Sequence, residues 1–278
     1  MKKFEIGLYE KSMPNSLTFK EKLLCAKECG FDFLEISIDE TDEKLSRLDM
    51  DKNARLSLIN DMYESGIYIR TMCLSGHRKY PLGSNDEKIR EKSLNIMQKA
   101  INLADDLGIR IIQLAGYDVY YEDSTEETKK YFEENLRKCV DMASEKGIIL
   151  AFETMETEFM NTIQKAMYYV NTIDSPYLQV YPDCGNVTNA CVKYNCDILK
   201  DFESGKGHIA SVHLKETVPG KFREIPFGTG HVDFKSVIKK SLDLGVRKFV
   251  AEFWYCGEEN WKETIKDARC FMDRNFQI

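Results

Sequence analysis

The sequence lacks the long apolar run that a membrane-spanning helix requires, which is about 18 residues or more. It also has few prolines, and no stretch rich in proline, glycine or serine would mark a linker between domains. The N-terminal apolar segment is interrupted by Glu5 and Glu10, which fits a first strand and not a signal peptide. These absences predict a cytoplasmic protein with no membrane partner, folded as one domain over residues 1–278.

An excess of basic residues is also missing. Lysine and arginine number 39 against 46 aspartates and glutamates, and the formal net charge is -7. No basic face broad enough for a nucleic acid is expected at that balance, which argues against nucleic acid as the main partner. A small phosphorylated substrate remains compatible, because it needs only a few local hydrogen-bond donors.

Tightly spaced cysteine pairs are absent too. The nine cysteines are scattered, and Cys184, Cys191 and Cys196 lack the CxxC spacing of a structural zinc site. Cys25 and Cys29 lie one helical turn apart and are expected in the core. This usage is typical of a chain kept reduced in the cytoplasm.

What the sequence does have is a regular alternation of short apolar and longer amphipathic segments. The apolar segments predict strands at 4–9, 33–37, 67–74, 111–115, 148–153, 179–183, 209–214 and 249–253. The amphipathic segments predict helices at 18–29, 51–65, 86–107, 126–146, 161–171, 197–203, 234–244 and 261–274. Helices five and six look short, so the stretch from Asp183 to Ile209 is expected to contain loop.

Eight strand–helix units in one chain predict an α/β fold, specifically a (β/α)8 TIM barrel. A doubly wound open sheet is the alternative, but no GxGxxG sequence follows the first predicted strand. Functional residues of a TIM barrel lie at the carboxyl ends of its strands, which directs attention to the residues found there.

Four residues with metal-binding side chains end the last four predicted strands: Glu153, Asp183, His213 and Glu252. Any one of them could be a charged loop residue or a strand-end cap. Three carboxylates buried at one rim without a cation would cost several kcal/mol each, and a divalent ion removes that cost. Oxygen ligands with one imidazole suit Mn²⁺, Co²⁺, Mg²⁺ or Zn²⁺, so we expect one divalent metal ion and an enzyme.

The remaining histidines are less informative. His77 follows the third predicted strand on the same rim, where it could contact substrate or simply pack. His231 precedes the seventh helix and is expected to be a cap or a packing residue. His208 precedes the seventh strand, on the opposite face, and is expected to be structural.

Several segments resemble a known family. The stretches AFE, YPDCGN, HLKET, FREIPFGTG and AEFW are similar to the xylose-isomerase-like TIM-barrel superfamily. Within it, IGLYEKSMP, MCLSGHRKYPLGS and IQLAGYDVYYE are similar to sugar-phosphate 3-epimerases that act on L-ribulose 5-phosphate (L-xylulose 5-phosphate) in pentose and L-ascorbate utilisation. The resemblance covers essentially the whole chain.

The resemblance implies epimerisation at C3 of a ketopentose 5-phosphate through a cis-enediolate. It assigns Glu153, Asp183, His213 and Glu252 to one metal ion, and Glu153 and Glu252 also to acid–base catalysis. One glutamate would remove the C3 proton and the other would return a proton to the opposite face. Barrels of this family often form homodimers, and the sequence leaves the oligomeric state open.

Substrate contacts follow from the same resemblance. Arg223 matches an arginine that orients substrate oxygens near the metal, and Glu156 resembles an acidic hydroxyl contact. Relatives that act on free ketoses carry a histidine where this chain has Asn186, so the hydrogen bonding there is altered.

A phosphate group needs donors, and the SGHRK segment after the third strand offers Ser75, His77 and Arg78. Alternatively, these residues are ordinary solvated side chains on the surface. Lys215 and Lys221 are further candidates.

Other functions remain on the same barrel. An aldose–ketose isomerase of the hexulose-6-phosphate type and an inosose dehydratase-like lyase are alternatives, as is a non-catalytic sugar-binding barrel. An endonuclease of the abasic-site type needs a histidine-rich multi-metal site. The chain has only four histidines and a net negative charge, which argues against that function.

Overall fold

The computed structural model describes residues 4–277. Within them, parallel strands form one eight-stranded sheet: β1 (Glu5–Tyr9), β2 (Phe33–Ile38), β3 (Tyr68–Leu74), β4 (Ile111–Ala115), β5 (Ile149–Glu153), β6 (Leu178–Val180), β7 (Val212–Leu214) and β8 (Lys248–Ala251). The spatial order is β6-β5-β4-β3-β2-β1-β8-β7. All eight predicted strands are present, although β6, β7 and β8 are shorter than predicted.

The two ends of the sheet, β6 and β7, meet and close a barrel. Val180 bridges Ile209 and Asp183 bridges His213, both in parallel orientation. The backbone N–H of His213 donates to the Pro182 carbonyl oxygen at 2.9 Å. This closure confirms the predicted (β/α)8 TIM barrel.

Helices surround the strands. They are α1 (Phe19–Glu28), α2 (Asp42–Ser46), α3 (Lys52–Ser65), α4 (Glu87–Leu107), α5 (Glu126–Glu145), α6 (Ile163–Ile173), α7 (Cys184–Tyr194), α8 (Ile198–Ser204), α9 (Phe234–Asp243) and α10 (Trp261–Asn275). Short 3₁₀ turns follow three of the elements, at Glu10–Ser12, Arg47–Asp49 and Ser75–Arg78. Among residues 4–277, no helix is long and apolar enough to cross a membrane.

Helix ends follow the capping residues of the sequence. The Thr18 hydroxyl accepts from the Glu21 backbone N–H, and the Glu21 carboxylate accepts from the Thr18 N–H, which forms a capping box at α1. Gly66 and Gly108 end α3 and α4 in the left-handed region, with φ values of 69° and 74°.

Helix α7 is the main departure from the sequence expectation. The stretch from Asp183 to Ile209 is expected to contain loop, with no helix predicted before residue 197, yet α7 begins at Cys184. The Asp183 carboxylate accepts from the Asn186 backbone N–H at 2.7 Å and so caps the helix. Gly185 and Asn186 in the first turn are weak helix formers, which masks the helix in the sequence. The cap holds Asp183 at the barrel rim.

The barrel interior differs from the outer layer. A large apolar cluster fills the space between strands and helices, whereas the interior holds a small cluster that includes Phe33, Tyr181 and Val250. The interior also buries Glu35 and Thr71 completely. A polar centre of this kind provides the floor of a site at the rim.

Candidate metal centre and active site

The four predicted ligands come together at the carboxyl rim. Glu153 ends β5, Asp183 caps α7 just beyond β6, His213 lies in β7, and Glu252 directly follows β8. One ligand atom from each lies within 4.8 Å of the others. All four side chains are buried, and Asp183 and His213 have no exposed surface. Consecutive strands of the barrel therefore assemble the cluster.

A third glutamate, which is not part of the cluster, orients the histidine from inside the barrel. His213 Nε2 lies 2.6 Å from Glu35 Oε1, while Glu35 Oε2 accepts from the Tyr181 hydroxyl at 2.9 Å and the Thr71 hydroxyl at 2.7 Å. This contact directs Nδ1 toward the other side chains, 3.1 Å from Glu252 Oε2. A carboxylate behind a ligating imidazole is a common feature of metal sites.

Sequence reasoning did not identify Glu35. The available signal is one carboxylate inside the otherwise apolar strand FLEISI. A fully buried charge in that position requires a partner, and His213 supplies it.

Lys215 is the cation nearest to the carboxylates. Its ammonium lies 2.9 Å from Asp183 Oδ2 and 3.7 Å from Glu252 Oε2. Both oxygens are buried, and apart from their ion-pair contacts with Lys215 and His213 they have no hydrogen-bond partner among the described residues. Buried oxygens in that state fit the ligands of a metal ion.

The electrostatics of the cluster point the same way. Burial raises the pKa of Asp183 to about 7. Burial alone would lower the pKa of His213, but the charges of Glu35 and Glu252 raise it well above its usual range. The cluster thus carries more negative charge than its own cations balance. Three carboxylates and one imidazole fit a divalent ion.

Two residues of the cluster, Glu153 and Glu252, line a narrow cavity of about 40 Å³ at the rim. Predicted residues that line this cavity, besides Glu153 and Glu252, are Ser75, Arg78, Glu156, Asn186, Lys215 and Arg223. Lining residues that sequence reasoning missed are Tyr9, Lys11, Cys73, Met155, Phe222 and Trp254. The apolar and aromatic members of the second group carried no distinctive sequence signal.

Glu156 and Arg223 meet at the mouth of the cavity. Arg223 Nη2 lies 3.7 Å from Glu156 Oε1, and the Tyr120 hydroxyl donates to the same oxygen at 3.1 Å. The Arg223 guanidinium also lies 5.7 Å from the centre of the Trp254 ring. Asn186 donates from Nδ2 to the Thr154 carbonyl oxygen at 2.7 Å, and its Oδ1 has no partner among the described residues.

The predicted phosphate contacts separate in the structure. Ser75 and Arg78 line the cavity, but His77 does not. The His77 ring is buried against α4, with Nε2 3.2 Å from the Ser93 carbonyl oxygen, and burial lowers its pKa to about 4. Lys221 is exposed and also lies outside the cavity lining. His77 therefore packs under the loop and does not face the substrate space.

The loop that carries Arg223 is anchored by Glu216. The buried Glu216 carboxylate accepts from the backbone N–H groups of Thr217, Gly228 and Val232, at 3.1, 2.9 and 3.2 Å. His231 Nε2 lies 2.9 Å from the Thr217 hydroxyl and packs at the same loop base. The loop is therefore held against the rim from inside.

Comparison with known proteins identifies the class of this barrel. Residues 24–274 match the family model described as xylose isomerase-like TIM barrel, and the chain belongs to this family. Within the family, it is 44% identical over 269 residues to L-ribulose-5-phosphate 3-epimerase UlaE of Shigella boydii serotype 18, covering 96% of this chain and 90% of that protein. The same identity and coverage relate it to UlaE of Escherichia coli O157:H7.

Solved structures of sugar epimerases share the fold. D-allulose 3-epimerase from Methylomonas sp., in complex with D-allulose, superposes with a TM-score of 0.81 at 17% identity, covering 99% of this chain and 98% of that chain. A structure of L-ribulose 3-epimerase gives a TM-score of 0.76 at 18% identity, covering 99% and 94%. At these identities the similarity supports the architecture.

Proposed function

We propose that this protein is a metal-dependent 3-epimerase that interconverts L-xylulose 5-phosphate and L-ribulose 5-phosphate. The observation that carries the proposal is the buried cluster of Glu153, Asp183, His213 and Glu252, two of whose glutamates line a cavity together with Arg78 and Arg223. The similarity to curated ketopentose-phosphate 3-epimerases supports the choice of reaction.

The metal ion would be held by all four residues of the cluster. Mn²⁺, Co²⁺, Mg²⁺ and Zn²⁺ are the candidates, because each accepts carboxylate oxygens together with one imidazole nitrogen. When bound, such an ion supplies Lewis acidity that makes a hydrogen next to a ketose carbonyl easier to remove.

Glu153 and Glu252 would move the protons. They project from β5 and β8, on different sides of the cavity floor, so a ketose between them presents one face of C3 to each. One carboxylate removes the C3 hydrogen and the other, in its protonated form, returns a hydrogen to the opposite face. The configuration at C3 is thereby inverted, and the direction of reaction decides which glutamate acts as base.

The surrounding side chains would orient the sugar. Arg223 offers guanidinium donors to substrate oxygens, Glu156 accepts from a sugar hydroxyl, and the unpartnered Asn186 Oδ1 can accept from another. Ser75 and Arg78 lie in the turn after β3, line the same cavity and would contact the phosphate.

Hydrogen exchange at C3 tests the proposal. We expect Glu153→Gln and Glu252→Gln each to abolish deuterium incorporation at C3 of L-ribulose 5-phosphate in D₂O, because each removes one proton carrier. The measurement is NMR of the recovered sugar phosphate with Mn²⁺-loaded enzyme after removal of the paramagnetic ion. Glu133→Gln on the outside of α5 is the matched control and should exchange like the wild type.

The same spectra separate the competing reactions. Deuterium incorporation at the wild-type rate in either active-site variant would reject the assigned roles. Exchange at C1 with formation of an aldose would indicate an aldose–ketose isomerase on the same barrel instead. Substrate binding without any exchange by the wild type would indicate a sugar-binding barrel.

A further inference from the structure

The cavity is lined from both halves of the barrel. The metal ligands come from β5 to β8, whereas Lys11, Ser75 and Arg78 follow β1 and β3 on the other side of the barrel. A ketopentose 5-phosphate whose carbonyl end lies over the ligands therefore directs its C5 end toward β1 and β3. The cations on that side are the natural contacts of a phosphate ester.

Lys11 is presented by a rigid turn. It lies in the 3₁₀ turn Glu10–Ser12, and its carbonyl oxygen accepts from the Tyr255 backbone N–H at 2.8 Å. Its neighbour Glu10 is fully buried and ion-paired, which fixes the turn from below. The Lys11 ammonium lies 2.5 Å from Asp39 Oδ2 and lines the cavity.

Arg78 is presented in the same way by the 3₁₀ turn Ser75–Arg78. Its guanidinium carbon lies 4.9 Å from the centre of the Tyr120 ring, and Nη1 lies 3.8 Å from Glu40 Oε1. The Nε atom is buried and has no hydrogen-bond partner among residues 4–277. Because buried N–H groups normally have an acceptor, this Nε–H is available to bond an oxygen of a bound substrate.

The two cations are held by consecutive residues of one strand end. Asp39 and Glu40 follow β2, which lies between β1 and β3 in the sheet. Asp39 Oδ1 is already occupied by the Thr41 backbone N–H and hydroxyl, at 2.9 and 2.6 Å. Each carboxylate takes one contact from its cation and leaves further N–H donors available, because an ammonium has three and a guanidinium five.

We propose that Lys11 and Arg78 form a two-cation clamp for the substrate phosphate, with Lys11 as a specificity-determining residue that separates phosphorylated from free ketoses. This inference rests on the proposed function and adds to it a residue that sequence reasoning did not select. Asp39 and Glu40 position the two cations, and Ser75, which lines the same cavity, supplies a neutral donor.

The test compares two substrates. We expect Lys11→Met and Arg78→Met each to raise KM for L-ribulose 5-phosphate by about 10- to 100-fold, the loss typical of one charge-assisted contact. KM for unphosphorylated L-ribulose should rise far less than KM for this ester, because the free ketose has no phosphate for the two cations to hold, and kcat for the ester should change less than its KM. Lys79→Met, an exposed cation just past the same turn as Arg78, is the control and should change neither substrate.

Direct binding separates failure of the clamp from failure of the proposed function. Inorganic phosphate, titrated by calorimetry into each folded protein with Mn²⁺ present, should bind the wild type and the Lys79 variant but not the Lys11 variant. Phosphate binding that depends on Lys11 in a protein without epimerase activity would reject the reaction and keep the clamp. If Lys11→Met raised KM equally for L-ribulose 5-phosphate and for L-ribulose, the clamp would be rejected. Phosphate binding that Lys11→Met leaves unchanged would reject it as well.

Arg78→Lys provides a second variant that retains the charge. Because a lysine lacks the planar fork, we expect it to recover only part of the affinity for the phosphate ester. Wild-type activity of Arg78→Lys on both the free ketose and the ester, together with a loss of phosphate binding, would contradict the assignment of Arg78 to the phosphate.

Discussion

Glu35 illustrates how one buried side chain can control a metal centre of which it is not itself a proposed ligand. It lies on β2, inside the barrel next to the cluster. Among the ion pairs of the described residues, only its contact with His213 connects β2 to the four clustered side chains. Tyr181 and Thr71 fix the glutamate itself. The direction of the imidazole ring, and with it the position of Nδ1, depends on this charge.

Replacing Glu35 by glutamine should therefore weaken metal binding. The amide keeps the size but loses the charge that holds the imidazole, and such changes cost about 10- to 100-fold in metal affinity. Calorimetric titration of the metal-free protein with Mn²⁺ measures the effect. Glu43→Gln, an exposed residue at the start of α2, serves as the control. Equal affinities in the Glu35 variant and the wild type would show that the ring is oriented by other contacts.

At the scale of elements, the turn after β1 is held by an unusual charge cluster. The fully buried Glu10 carboxylate contacts Lys22 of α1, Lys44 of α2 and Arg47, at 3.3, 2.8 and 2.7 Å. It also accepts from the Ser37 backbone N–H of β2 at 3.0 Å. One carboxylate thus joins two strands and two helices, and it fixes the turn that carries Lys11.

This cluster predicts a specific loss of stability in acid. Burial alone would raise the pKa of Glu10, but Arg47, Lys22 and Lys44 lower it to about 2. Because the pKa is lower in the folded state, the ionised carboxylate contributes its full stabilisation at pH values above the pKa of Glu10 in the unfolded chain. That contribution, about 3 kcal/mol, is lost as the pH falls from about 4.5 toward 2.

Urea unfolding of the wild type and Glu10→Gln at several pH values measures this contribution. The difference in the free energy of unfolding should be largest near neutral pH and should shrink steadily below pH 4.5. Glu21→Gln removes another carboxylate of the same region, an exposed one, and should show a much smaller difference. A pH-independent difference for Glu10→Gln would rule out titration of this carboxylate as the cause.

At the scale of the whole molecule, the four proposed ligands come from four consecutive strand ends, so binding of a metal ion to them should stabilise the entire barrel. An ion at about 100 times its Kd adds about 2.7 kcal/mol to the free energy of unfolding. For a chain of this size that is about 5 °C or more in Tm. Thermal unfolding followed by circular dichroism, with EDTA and then with added Mn²⁺, measures the shift.

Asp183→Asn is the matched variant for this measurement. Asparagine caps a helix about as well as aspartate, so α7 should persist while one ligand charge is lost. Its Tm should respond little to EDTA or Mn²⁺. A shift as large as that of the wild type would place the stabilising ion elsewhere on the protein.

The sequence predicts much of the architecture because strand and helix periods are local properties. Glu153 and Glu252 stand directly after apolar runs, and the strand-to-strand spacing brings such positions to one rim. Helix α7 escaped prediction because its start depends on the Asp183 cap and not on strong helix formers. Glu35 and Lys11 escaped because their partners, His213 and Asp39, are distant in the chain and meet only in the closed barrel.

The closure of the barrel gives Asp183 and His213 a further significance. These residues form one of the two isolated bridges by which β6 and β7 join in the described part of the chain, and both belong to the ligand cluster. An ion bound by both residues would add a side-chain link to the junction between β6 and β7, where the strands are joined only by isolated bridges. The backbone bridges close the barrel without the ion, so its removal should loosen the junction between β6 and β7 before any other pair of neighbouring strands.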